Sequence, residues 1–304
     1  MTSREDLELA RRQILAFSES ALKKAAVLDV LPTPLDAVAA VVDIAEIVDI
    51  GHLPSALEAQ KPSGLHKILG ALMYRERTVF VDLSQSDGRA RLTKAHEIGH
   101  KIIPWHEATF QLDDLERITG RTRERLEEEA FLAGGHLIFQ GARFHRKALD
   151  YKVSINTPLL LAEEYGASYH ATIRYYVTHH PDAVALLIAG RYPTAGTVPI
   201  WRSVESPSFS ERFGRLVVGP QQRLPVAAES PHPLGSIAHR AITQSEIANA
   251  RVKIPDRGGH TREFIAESFF NQHNLLIMVS EARAARFGRP VTAALGSPGT
   301  GVRT

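Results

Sequence analysis

The sequence predicts an α+β protein: a mostly helical N-terminal domain with a small sheet, a short two-helix segment, and a second α+β domain at the C-terminal end. Three observations predict it. Up to about residue 150 apolar residues recur at helical spacing, with one alternating stretch, Arg77 to Leu83, set among them. Between Asn156 and Pro181 two short helical patterns flank Gly166. From Val184 onward alternating, β-branched stretches dominate. The expected divisions are 1–150, 151–183 and 184–287, with the Gly-, Pro- and Thr-rich tail 288–304 expected to be disordered.

Composition sets limits on what such a chain does. At 304 residues and 44% hydrophobic content it can bury a sizeable core, in two domains or three small ones. A net charge of +2 argues against a strongly polybasic nucleic-acid binder. The pI of 8.8 leaves room for a local basic patch. There is no cysteine, so thiol-nucleophile, disulfide and cysteine–zinc chemistry are excluded, and a reducing cytoplasm suits the chain. The start, Met1 to Asp6, has no apolar export signal, and no run of about eighteen apolar residues predicts a membrane span.

In chain order, residues 3–27 read as a helix with Leu7, Ala10, Ile14, Phe17 and Leu22 on one side. Pro32 and Pro34 interrupt the chain before a second helix, Pro34 to Val48, whose core face is Leu35, Val38, Val41, Val42 and Ala45. In Arg77 to Leu83, Val79, Val81 and Leu83 alternate with Thr78, Phe80 and Asp82 as a strand. The next helix has Ser86 or Asp87 as N-cap, is carried by Ala90, Leu92 and Ala95, and stops at Pro104.

That helix contains His96-Glu97-Ile98-Gly99-His100. Histidines four residues apart lie on one helical face and can grip one divalent cation, with Glu97 near enough to act on a water beside it. This is a hydrolase's chemistry. Two nitrogens do not hold zinc, so a third ligand is needed, and the helix Thr122 to Gln140 offers Glu127, Glu128 and Glu129. Steps of four, seven and eleven from Glu127 reach Phe131, Gly134 and Ile138, placing it on a stripe that wants burial. Glu128, in line with Leu132 and Gly135, is second choice; Glu129 lines up with Ala133, His136 and Gln140 and reads as more exposed. His106, His136, His145, His179 and His180 are taken as non-ligands, His136 because it is out of phase with Glu127.

The run Arg77 to Asp82, then Ala95 to His100, then Glu127 to Ile138 resembles the ImmA/IrrE metallopeptidase family over about residues 30–180. Aligned on Glu129-Ala130, the chain keeps Leu137-Ile138 but has Phe131, Ala133, Gly134 and Gln140 where that family usually has Asn, Phe, Ala and Pro. The resemblance implies a zincin-like metallopeptidase domain with His96, His100 and Glu127 holding Zn²⁺, or Mn²⁺ where it is abundant, and Glu97 as catalytic base. It also implies that strand 77–83 is an exposed edge that pairs with an extended substrate; the alternative is a plain core strand. The extra C-terminal region points to the IrrE-type radiation- and desiccation-response regulators, in which a GAF-like sensor domain takes an unidentified ligand or signal. The implied substrate is a helix-turn-helix transcriptional repressor.

The 156–181 segment has helix-turn-helix spacing, Pro158 to Gly166 and then Tyr169 to His180, but its second helix offers DNA little beyond Arg174 and His170. Packing is the favoured role and direct DNA reading the alternative. Beyond it, 184–189, 197–204, 214–218, 263–270 and 274–279 read as strands, and 234–251 and 280–287 as helices. The leading functional expectation is a site-specific metalloendopeptidase. A DNA-binding regulator with a vestigial peptidase fold, and a structural metal site in a signalling scaffold, are the competing classes; the glutamate between the histidines argues against the last.

Overall fold

The computed structural model describes residues 4–52, 69–112, 120–190, 193, 196–216, 218, 222–244, 247–271, 273–282 and 288–291. It is an α+β protein of ten α-helices and nine strands among the described residues, dividing into two compact units: Met1–Phe144 with Glu163–Ser168, and His145–Ala162 with Tyr169–Thr304. None of its helices is long and apolar enough to cross a membrane.

In the first unit α1 (Arg4–Lys24) buries Ile14, Ala21 and Leu22, whereas Leu7 is half exposed and lies off the expected core face. Helix α2 (Leu35–Val41) buries Leu35, Val38 and Ala39 and is shorter than its periodicity predicts. Asp43 at φ +64 turns the chain, and the β-branched run that follows becomes strand β1 (Glu46–Asp49), parallel to β3 (Thr78–Val81). Cross-strand pairing outweighs the helical spacing there.

Strand β2 (Gly70–Met73) pairs antiparallel with the other side of β3, giving the order β1-β3-β2. All four β3 residues are buried. The expectation of an exposed edge at 77–83 is therefore corrected: β3 is central, with both backbone edges already paired, and β1 and β2 are the edge strands among the described residues. Helix α3 (Asp87–Ile102) starts after Ser86, which has extended backbone at φ −61, ψ 147, and gives way at Ile103 before α4 (Pro104–Leu112).

Helix α5 (Gly120–Phe139) lies against α3 with unusually little room between the backbones. A Cβ on Gly99 would sit 2.7 Å from the Ala130 carbonyl oxygen, and one on Gly134 would sit 2.9 Å from Ala95 and His96 backbone atoms. One glycine from each helix, facing the other's backbone, is what permits this approach. It sets the distance between the histidines of α3 and the acidic stretch of α5.

Helices α6 (Ala142–Leu149), α7 (Asn156–Tyr165) and α8 (Tyr169–His179) follow. In the second unit α8 buries Thr172, Ile173, Tyr176 and Val177 and packs on β4 (Val184–Ala189) and β5 (Thr197–Glu205), so its apolar face is used in packing. The sheet order is β6-β5-β4-β9-β8-β7, every pair antiparallel, completed by β6 (Arg223–Pro225), β7 (Ala248–Pro255), β8 (Thr261–Phe270) and β9 (Leu275–Glu281). Ala185, Leu187 and Ala189 join Phe209 and Phe213 of α9 (Pro207–Phe213) and Leu234, Ile237 and Ala241 of α10 (Pro233–Gln244) in one core.

Three expectations in this unit are corrected. The helix at 234–251 ends at Gln244, because Ala248, Val252 and Ile254 turn one face of β7 inward. The stretch 214–218 forms no strand among its described residues. The helix expected at 280–287 begins inside β9, which runs to Glu281; residues 283–287, and the tail from 292, lie outside the described residues.

Candidate metal centre

Helix α3 turns Ala95 through His100 inward as one buried run. His96 and His100 lie one turn apart with their rings edge to face, centroids 4.8 Å apart, and their Nε2 atoms separated by 3.3 Å. From α5, Glu127 Oε2 comes to 3.0 Å from His96 Nε2, and its Oε1 lies 3.7 Å from His100 Nε2. The three donors fall within 4.8 Å of one another, the grouping expected of a metal site.

The donor chemistry fits a cation. Bonds of about 2.0–2.1 Å at tetrahedral angles place neighbouring donors roughly 3.3–3.4 Å apart, which the observed 3.0–3.7 Å brackets. Two imidazole nitrogens at 3.3 Å with a carboxylate beside them form a basic pocket whose lone pairs converge. Burial, and then the charge of His96, drives the His100 pKa down to about 3, so the ring is neutral and its lone pair is available at ordinary pH. The hydrogen bond to His96 holds the Glu127 pKa below the usual carboxylate value against the opposing effect of burial.

Glu97 is buried on the neighbouring face of α3, turned toward β2: a Cβ on Gly70 would lie 2.8 Å from its Oε1. Burial lifts its pKa to about 7, with the charge of Glu127 adding to the rise and that of His96 opposing it. A carboxyl group so poised exchanges protons readily near neutral pH. Tyr74 donates from its hydroxyl to the His100 carbonyl oxygen at 3.2 Å, and burial raises its pKa.

The other acidic candidates of α5 separate cleanly. Glu128 is exposed. Glu129 is buried, against the expectation that it is the more exposed, because α4 covers it and supplies partners. Its Oε2 accepts from Trp105 Nε1 at 2.6 Å and lies 3.1 Å from His106 Nε2, while its Oε1 accepts from Arg125 Nε at 2.7 Å. Those contacts carry its pKa down to about 2, although burial alone pushes the other way.

His106 itself is fully buried, with Nδ1 2.9 Å from His100 Nδ1. Sequence reasoning took His106 as a non-ligand and Glu129 as the more exposed of the three acids. The available signal was weak: a histidine six residues beyond His100 across a helix-breaking proline. Phe131, expected to be buried along the Glu127 stripe, is instead 53% exposed, its ring centroid 4.2 Å from that of His96. His136 pairs with Glu19 at 3.3 Å, while in the second unit His145 stacks on Tyr175 and His179 lies tilted against that ring.

Residues 55–174 match the family model described as the IrrE N-terminal-like domain, peptidase family M78. Over that stretch the chain is similar to IrrE N-terminal-like domains. All three converging donors, Glu97 and the supporting His106 and Glu129 lie inside that match. The fold as a whole is similar to that of a Mycobacterium tuberculosis transcriptional regulator, at a TM-score of 0.53 and 14% identity, over 89% of this chain and 76% of that one. No curated protein matches the chain.

Proposed function

We propose that the chain is a metal-dependent, site-specific endopeptidase whose substrate is a helix-turn-helix transcriptional repressor, cleaved to induce a DNA-damage or desiccation response. The observation that carries the reading is the convergence of His96, His100 and Glu127 beside a buried carboxyl group, Glu97, inside the IrrE-like domain. His96, His100 and Glu127 are the residues that would hold the cation, Zn²⁺ by donor set or Mn²⁺ where that ion is abundant. A divalent cation supplies Lewis acidity, acidifying a water and polarising a substrate carbonyl.

The chain's own residues do the rest. An extended substrate pairs with the edge strand β2, which runs past Glu97. Glu97 takes the proton from the attacking water and gives it to the departing amine, and its near-neutral pKa suits it to both roles. The repressor substrate and the stress response rest on the resemblance to IrrE-type regulators, and the C-terminal unit is the candidate GAF-like sensor. A cysteine-free chain suits the cytoplasm.

A second reading, a DNA-binding regulator acting through α7 and α8, is favoured by the likeness in fold to a transcriptional regulator. Incubation of the metal-loaded protein with helix-turn-helix repressors, read by intact mass spectrometry, separates the two. Cleavage that stops with chelator and with Glu97→Gln, while that variant keeps its metal, is the expected result. A metal-loaded wild type that cuts no repressor but binds DNA with a steep salt dependence would instead make it the regulator.

A further inference from the structure

We infer that His106 is a positioning residue for the candidate metal centre: Glu129 and His106 together fix the proton of His100 on Nδ1 and leave its Nε2 free to ligate. This deepens the metal reading above and rests on it.

The argument is one of proton accounting along three side chains. A neutral imidazole carries one N–H and one lone pair. His106 is fully buried, so each of its ring nitrogens needs a partner within the protein, and each has one: Nε2 faces Glu129 Oε2 at 3.1 Å and Nδ1 faces His100 Nδ1 at 2.9 Å. Glu129 is held by Arg125 and Trp105 and accepts only, so His106 must place its proton on Nε2. The lone pair of His106 then lies on Nδ1 and points at His100 Nδ1. His100 must donate there, which moves its own lone pair to Nε2.

That nitrogen is the one 3.3 Å from His96 Nε2 and 3.7 Å from Glu127. The opposite assignment sets two acceptors against each other at Glu129 and points an N–H into the donor cluster. Of the two tautomers of a neutral His106, only one satisfies every contact. His96 has no such support: its Nδ1 is buried and makes no hydrogen bond among the described residues. Orientation of the pair therefore comes through His100, from α4 and the buried carboxylate of α5.

The test uses full-length protein labelled with ¹⁵N-histidine. Long-range ¹H–¹⁵N spectra read the tautomers, and competition with a chelator reads Zn²⁺ affinity. His106→Leu removes the acceptor, whereas His106→Asn retains an acceptor oxygen near the Nδ1 position. In the wild type His100 is expected as the Nδ1–H tautomer. His106→Leu should lose that preference and bind Zn²⁺ about 10–100-fold more weakly, with His106→Asn close to wild type in both.

Equal behaviour of the two variants, or a wild-type His106 protonated on both nitrogens, overturns the inference. If the wild type binds no Zn²⁺, the metal reading fails by itself. The tautomer of His100 in the metal-free protein then still decides the role of His106: Nδ1–H in the wild type and lost in His106→Leu supports it, and Nδ1–H in both overturns it.

Discussion

Gly70 and Glu97 are in contact: a methyl group on Gly70 would come 2.8 Å from Glu97 Oε1 and 2.5 Å from Thr93 Cγ2. The absent side chain is what lets the edge strand run directly beside the buried carboxyl group. Gly70→Ala should therefore displace Glu97 without touching the donor cluster. The clashing atoms are ends of side chains, so the fold survives at a cost of about 1–3 kcal/mol. We expect metal content equal to wild type and cleavage reduced at least about tenfold, measured on the same preparations. Full activity in Gly70→Ala would mean that the position of Glu97 along β2 does not matter.

Gln140 closes α5 with a φ of +53 and is 1% exposed. Its side-chain oxygen accepts from Asp29 N at 2.8 Å, and its nitrogen lies within 3.2 Å of the Val27 and Val30 carbonyls and of Thr33 Oγ1. One side chain thus satisfies the loop between α1 and α2. Gln140→Leu keeps the volume and strands those groups, and should lower stability by about 2–4 kcal/mol in urea unfolding. A loss below about 1 kcal/mol would show that water replaces the amide.

Much of this was legible, and the limits have physical causes. Long helices with caps and breakers, α3 and α5 above all, are written in local spacing, and so is the His-Glu-x-x-His face. What local spacing does not carry is partnership. Ile44 to Val48 fits a helix until β3 offers a parallel partner, and 248–251 fits a helix until β8 does. Glu129 was misjudged because its burial comes from α4, a different element, and not from its own helical stripe. The departure at Gln140 has a similar explanation: proline, usual there in the resembling family, cannot reach φ +53, and glutamine ties down the loop.

His145 provides a pH test away from the candidate centre. Burial, then the charges of His179 and His180, bring its pKa down from 6.5 to about 4. The unfolded chain takes up this proton near pH 6.5 and the folded chain only near 4, so its contribution is present above 6.5 and lost as pH falls between those values. His145→Asn should consequently lose less stability than wild type between pH 7.5 and 4.5, with titrations common to both proteins cancelling. Parallel pH profiles in urea unfolding, or a His145 ring titrating near 6.5 by NMR, would contradict this.

The donor set itself makes the sharpest prediction. His96→Ala, His100→Ala and Glu127→Ala should each reduce metal retention by more than the roughly 10–100-fold that loss of a supporting partner costs, because each removes one of three protein ligands. Glu128→Ala should behave as wild type, since Glu128 is exposed while Glu127 reaches both histidines. Thermal unfolding with and without added Zn²⁺ or Mn²⁺ reads the difference, as a ligand that binds only the folded chain raises the midpoint. The wild-type midpoint should rise and those of the three ligand variants stay nearly flat. The metal-free midpoints are a separate check, because relieving the crowding of basic atoms at 3.3 Å should leave His96→Ala little less stable than wild type without metal. If Glu127→Ala gains stability from metal and Glu128→Ala does not, the third ligand lies one residue along α5 and the phase of that helix against α3 must be redrawn.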